Sequence, residues 1–198
     1  MPSQFFVYPI FKNGSSSLTE YADQQLYQRL REHEISQITS EVHVYLRDAR
    51  SRFRSGVNTF VQHNPDMDLR TVLTFVNRYL FLNRHFAPQF FWLINLARYL
   101  SGNVPMVLHD IAELESITPL HSDAKILPPS AEFCEMFDGM NWHAMELYYY
   151  LDQKLTDAVG SKILFPEFVE WIRQDDKILF DTVFGKSLSL TEVIRGLP

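Results

Sequence analysis

The sequence predicts a mainly α-helical protein with a small α+β part. Three observations carry that expectation. Through the first 126 residues apolar side chains recur every three or four positions. Prolines and glycines punctuate those runs where helices start and stop. Beyond Pro128-Pro129, short stretches rich in β-forming residues take over. The chain is accordingly divided into residues 1–126, a helical bundle, and residues 127–198, a small α+β module.

Element by element, Ser17 and Glu20 have capping-box spacing and start a helix over 18–34 with Tyr21, Ala22, Leu26 and Leu30 inward. Ile38, Val42, Tyr45, Ala49, Phe53, Val57 and Phe60 form the next helical stripe. Its other face carries Arg47, Arg50, Arg52 and Arg54, either a solvated basic face or a surface for an acidic partner. After a turn at His63-Asn64-Pro65-Asp66, Leu69, Val72, Leu73, Val76, Tyr79 and Leu80 mark a third helix. Pro88 opens a fourth, FFWLINLARYL, apolar nearly all round and therefore central, closed by Gly102. Pro105 opens a fifth, and short connections between such helices are the mark of a bundle. In the second part, Ala131 to Phe137 reads as a strand, Asp138-Gly139 as a turn, Trp142 to Asp157 as a helix and Phe168 to Arg173 as a second strand. Two short helices, Lys177 to Phe184 and Leu190 to Gly196, close the chain.

Composition narrows the functional classes. With 198 residues, 46% of them hydrophobic, the chain is long and apolar enough to bury a substantial core. Eighteen Lys and Arg against 24 Asp and Glu leave a net charge of −6, which gives no attraction for phosphate backbones, so nucleic acid is not an expected partner. Cys134 is the only cysteine, which excludes an intramolecular disulfide framework and a thiolate zinc cluster and points to a reducing compartment. The opening MPSQFFVYPIFKNG lacks a basic n-region and a small-residue cleavage site, so no signal peptide is expected. Apolar runs such as Phe90 to Leu96 are too short to span a bilayer. The expectation is a cytoplasmic protein with no membrane partner.

One stretch concentrates polar chemistry: residues 104–124, VPMVLHDIAELESITPLHSDA. On a helix His109 and Glu113 share a face, and with His143 and Glu146 they are candidates for a stand-alone diiron oxidoreductase site. The diiron pattern, however, needs Glu followed three residues later by His on two helices. Here His143 precedes Glu146, and there is no second copy. Nucleophile-elbow, P-loop, dinucleotide-binding and H-E-x-x-H motifs are absent, and the glutamates beside Cys134 oppose thiolate formation. No catalytic residue and no metal ligand is assigned from the sequence.

The same stretch resembles a helix of the DNA-binding-domain-like family whose members accompany multinuclear iron enzymes, which reads proline, hydrophobics, D-x-A-x-L-E and then an Asp-Ala pair. Asp110, Ala112, Leu114, Glu115, Asp123 and Ala124 match it. Val42 to Asp48 is similar to the family's tyrosine-arginine helix, Phe86 to Leu96 to its aromatic central helix, and Gly185-Lys186-Ser187-Leu188 with Val193-Ile194 to its winged-helix end. The length suits the family's methanobactin-biosynthesis branch. The resemblance implies an N-terminal helical bundle followed by a winged-helix-like module with a short sheet. It implies a non-catalytic subunit that forms a heterodimer with a multinuclear iron TIM-barrel oxygenase (MbnB-like) and binds the leader of a ribosomal precursor peptide (MbnA-like). The pair would oxidise precursor cysteines to oxazolone and thioamide groups with dioxygen. The iron ions would belong to the partner, and this chain would hold no cofactor.

A flexible leader can be captured by adding it as a strand to a sheet edge. The candidate peptide-binding residues are Phe133 on the first expected strand and Phe168, Val169, Glu170, Trp171, Ile172 and Arg173 on the second. Alternatively both strands only close a small core, with Phe133 and Trp171 buried. Asp110, Glu113 and Glu115 are the candidate partner interface. Against that reading, an acid at position 110 also suits the helix macrodipole, and Glu115 could pair with Arg47 or Arg50.

Overall fold

In the computed structural model, which describes residues 5–10, 13, 27–29, 32–78, 83, 85–117, 127–143, 145 and 149–175, five strands form one sheet. They are β1 (Phe5–Val7), β2 (Tyr27–Arg29), β3 (Val42–Leu46), β4 (Met106–Asp110) and β5 (Lys162–Ile163). The helices α1 (Glu32–Ile35), α2 (Ala49–Gln62), α3 (Leu69–Arg78), α4 (Gln89–Tyr99), α5 (Ile111–Ile117), α6 (Ala131–Asp138), α7 (Tyr150–Asp157) and α8 (Phe165–Asp175) accompany them. The strand order is β2-β1-β3-β4-β5, with the first four parallel and β5 antiparallel to β4. The protein is thus mainly helical with a small sheet, as expected, but the sheet is built from other segments.

Two stretches expected to be helical contain the central strands. Every residue from Val42 to Leu46 is buried. Val42, Val44 and Leu46 face the main core, while Tyr45 packs with Val7 and Leu114 on the opposite side. A strand covered on both faces shows no polar alternation, so its apolar residues merged with the helical stripe that follows. The real helix start is at Asp48, whose carboxylate accepts the Ser51 N–H at 2.7 Å. Likewise, Pro105 precedes a strand and not a helix: Met106 and Leu108 enter the main core, and α5 starts only at Ile111. Asp110 and Glu113 supply the missed signal. Glu113 Oε1 accepts the Asp110 N–H at 3.0 Å and Asp110 Oδ1 accepts the Ala112 N–H at 2.7 Å, a local cap that ends β4 and begins α5.

Both strands expected after residue 127 are helices. Ala131 to Phe137 lies in α6, started by Ser130, whose hydroxyl accepts the Phe133 N–H at 3.1 Å. Its buried residues Phe133 and Phe137 are four apart, a helical spacing. Phe168 to Arg173 lies inside α8, where Glu167 reaches back to the Leu164 N–H at 2.8 Å. Capping chemistry outweighed β-propensity at both places. The helix expected over Trp142 to Asp157 is regular in α7, with Tyr149 as its N-cap. Of the helix expected over 18–34, residues 27–29 form β2 and residues 32–35 form α1, while Tyr21, Ala22, Leu26 and Leu30 lie outside the described residues. So do the two expected terminal helices.

The third and fourth helices occur where expected, as α3 with Val72, Leu73 and Val76 buried, and as α4, which is covered on nearly every described side. Phe53 is the aromatic hub of the core, within 6 Å of the rings of Phe86, Phe137, Trp142 and Tyr149. Residues before and after position 126 share this one cluster, which includes Phe133, Leu155, Ile163 and Phe168.

The α2 stripe meets the loop before α4 through Gly56. A Cβ there would lie inside van der Waals contact with the His85 carbonyl and Phe86 Cβ. Gly56→Ala should therefore destabilise the protein by about 3 kcal/mol, at the upper end of what overpacking costs, despite the better helix propensity of alanine. Urea unfolding measures it, and a neutral or stabilising effect would show that the loop yields.

Candidate functional site

Parallel pairing of β3 with β4 sets Tyr45 beside His109 and His43 beside Val107, so His43, Tyr45 and His109 share the sheet face away from the main core. His43 Nδ1 and His109 Nε2 are 2.8 Å apart. The ring centroids are 5.0 Å apart and the planes differ by 16°, so the rings meet edge to edge, each nitrogen aimed at the other. Tyr45 lies nearly parallel to His109 on the other side, at 4.9 Å between centroids.

Each outer nitrogen finds a carboxylate. His109 Nδ1 lies 2.8 Å from Glu113 Oε2, and His43 Nε2 lies 3.3 Å from Glu41 Oε1. Lys162 of β5 donates to the other Glu41 oxygen. The result is a continuous line, Lys162, Glu41, His43, His109, Glu113, running from β5 to α5. Its middle is dry and both ends are wet: the His43 side chain is 6% exposed, against 61% for Lys162 and 49% for Glu113. The Lys162 hydrogen bond holds Glu41 below its ordinary range, and the His109 hydrogen bond does the same for Glu113. Burial first, and then the charge of His109, hold His43 down.

A second polar cluster lies where the sheet order reverses, at the carboxyl ends of β1 and β3, the place where open α/β sheets commonly bind ligands. Here it is filled by the protein itself. Asn13 donates to the Tyr45 carbonyl at 2.8 Å and to Gln89 Oε1. Gln89 brackets Arg47, accepting its N–H at 2.9 Å and donating to its carbonyl at 2.8 Å. The carboxylate of Asp152 accepts the N–H groups of Gln89 and Phe90 at 2.8 and 2.9 Å, capping α4 from α7. Arg52, expected on a basic face, is fully buried and donates to the Ala87 carbonyl. Burial pushes Asp152 up to about 6, against the pull of Arg52 and the two N–H groups, and pushes the Tyr149 hydroxyl well above its ordinary range.

No protein-family profile, curated protein or solved structure matches this chain.

The sequence-derived site residues are dispersed. His109 and Glu113 do meet, whereas His143 lies at α3, its N–H on Asn77 Oδ1, and Glu146 is outside the described residues. Among the described residues no three His, Cys, Asp or Glu side chains are grouped to hold a metal ion. Phe133 and Phe168 are core residues. Trp171 is half-buried under the Lys154 ammonium, and Glu170 accepts from Gln174 one turn on. Because residues 131–137 and 168–173 are helical, their backbone cannot receive a leader peptide as an added strand. Arg50 and Arg54 both reach Asp138. His43 and Glu41 were missed because their partner His109 is 66 residues from His43, and parallel pairing at that separation leaves no local pattern. Among the described residues no helix is long and apolar enough to cross a membrane.

The Asp152 carboxyl binds its proton more tightly folded than unfolded. Its contribution to stability is therefore fully present below the unfolded value of 3.8 and is lost as pH rises through about 6. Relative to Asp152→Asn, which does not titrate, the wild type should gain roughly 2 kcal/mol between pH 7 and pH 4. Urea unfolding of both proteins at the two pH values tests this, and a pH-independent difference would return Asp152 to an ordinary carboxylate.

Proposed function

We propose that the chain is a non-catalytic binding subunit that presents the β4–α5 corner to a protein partner. The observation that carries this reading is the construction of the corner. Asp110 and Glu113 hold each other's backbone in a cap, His109 is clamped from both sides, and the acids remain partly exposed on fixed backbone. Acids held in place, in contrast to solvated flexible ones, lose little freedom when a basic surface docks.

This is also the segment with the D-x-A-x-L-E resemblance, which supports a partner of the multinuclear iron TIM-barrel class. On that reading the chain is an accessory subunit of the MbnC type. It forms a cytoplasmic heterodimer with an MbnB-like oxygenase that holds the iron, recruits an MbnA-like leader, and so supports oxidation of precursor cysteines to oxazolone and thioamide groups. The winged-helix-like end belongs to the same proposal, and Asp110, Glu113 and Glu115 are its interface. The leader needs a surface other than strand addition at 131–137 or 168–173.

Co-expression with the iron enzyme encoded beside this chain, followed by size-exclusion chromatography and metal analysis, tests the reading. A stable 1:1 complex carrying iron is expected. Glu113→Lys should weaken that complex at least about tenfold through charge reversal at the interface, with the far-ultraviolet circular dichroism of the free chain retained. Separate elution of the two wild-type chains would overturn the proposal. Iron held by this chain alone would favour the diiron alternative.

A further inference from the structure

The His43–His109 contact poses a proton-counting problem. Ionised Glu41 and Glu113 can only accept hydrogen bonds, so both outer nitrogens, His43 Nε2 and His109 Nδ1, must carry hydrogen. If both rings were neutral, the two inner nitrogens would then be bare lone pairs aimed at each other at 2.8 Å. If both rings were imidazolium, two N–H groups would collide there. One hydrogen between them satisfies the line, so the pair holds three N–H protons and one positive charge.

A metal ion does not fit the same gap. Imidazole ligands sit about 2.0–2.1 Å from zinc, and two nitrogens bonded to one ion lie farther apart than these do. Nor is a ring nitrogen left over to attack or protonate a substrate, since all four are engaged.

We infer that His43 and His109 share a single proton and act as a pH-operated latch that fastens the β4–α5 corner to β3. The groups facing the pair among the described residues are Glu41 before β3, Tyr45 on β3, Lys162 on β5 and Glu113 on α5. With the proton present, His109 donates to both His43 and Glu113. When it leaves, one hydrogen bond of the line must fail. The His43 ring is 6% exposed and its carboxylate, Glu41, is also held by Lys162, whereas the His109 ring is 20% exposed, so the contact that fails is the one at the more exposed ring, His109 to Glu113. Glu113 also caps Asp110, so its release loosens the first turn of α5. The depressed basicity of His43 is consistent with this, since a second proton on the pair is unfavourable. The latch is a property of this chain alone and stands whether or not the corner binds an iron enzyme.

The test is ring-nitrogen NMR of the full chain labelled with 15N-histidine, recorded from pH 5 to 8.5 with amide exchange of residues 111–117. The expected spectrum at low pH has one neutral ring protonated at Nε2 (His43) and one doubly protonated ring (His109). The two lose one proton in a single shared step, together with protection of α5. Glu113→Gln, which keeps the size and removes the charge, should move that step down by about one pH unit or more. His109→Gln should leave His43 neutral throughout and make α5 protection independent of pH. Two neutral rings at every pH, independent titration of the two rings, α5 protection that ignores the shared step, or ring signals that change on adding a chelator would each overturn the latch.

Discussion

The carboxylate of Asp152 on the first turn of α4 is the interaction on which the rest of the architecture depends. Helix α4 is apolar and central, and it starts inside the protein, where water cannot satisfy its leading N–H groups. The N-cap residue does not cap it, because the ring of Pro88 carries no acceptor. The cap comes from α7 instead, 63 residues along the chain. That cap ties α7 to the start of α4, and it places Gln89 where it can hold the outgoing ends of β1 and β3 through Asn13 and Arg47. It also costs something, since Asp152 and Arg52 must both leave water, and that desolvation pushes the Asp152 carboxyl up.

With the reversal point of the sheet filled by its own polar side chains, the exposed chemistry shifts to the neighbouring strand pair. The two sheet faces are unequal. One is covered by the large aromatic core, and among the described residues the other carries the small cluster of Val7, Tyr45 and Leu114 beside the histidine pair. A thin cover allows a polar line to run from Lys162 to Glu113 with its driest point at His43, which leaves His109 as the more exposed of the two rings. Tyr45 packs beside His109, with 4.9 Å between ring centroids.

How much of this was legible depends on whether the signal was local. The α3 and α4 helices could be read because Val72, Leu73 and Val76, or Pro88 followed by an apolar run, carry their evidence within one or two turns. The Ser130 cap, the Glu167 cap and the Asp110–Glu113 cap were equally local and were passed over in favour of β-propensity or of a proline, which are weaker witnesses than a side chain three residues from an N–H it can satisfy. By contrast, nothing near Val42 to Leu46 says that both faces will be covered, and nothing near Arg52 says that this arginine, alone among its neighbours, turns inward.

By itself the sequence determined the helical majority, the acidic balance and the absence of a disulfide framework, all of which follow from composition or from patterns within one or two turns. Tertiary structure alone decided the parallel sheet, the cap on α4 and the meeting of His43 with His109. Each of these joins groups at least 22 residues apart, and such contacts are selected by the burial of surfaces and the satisfaction of polar groups that only the assembled fold creates.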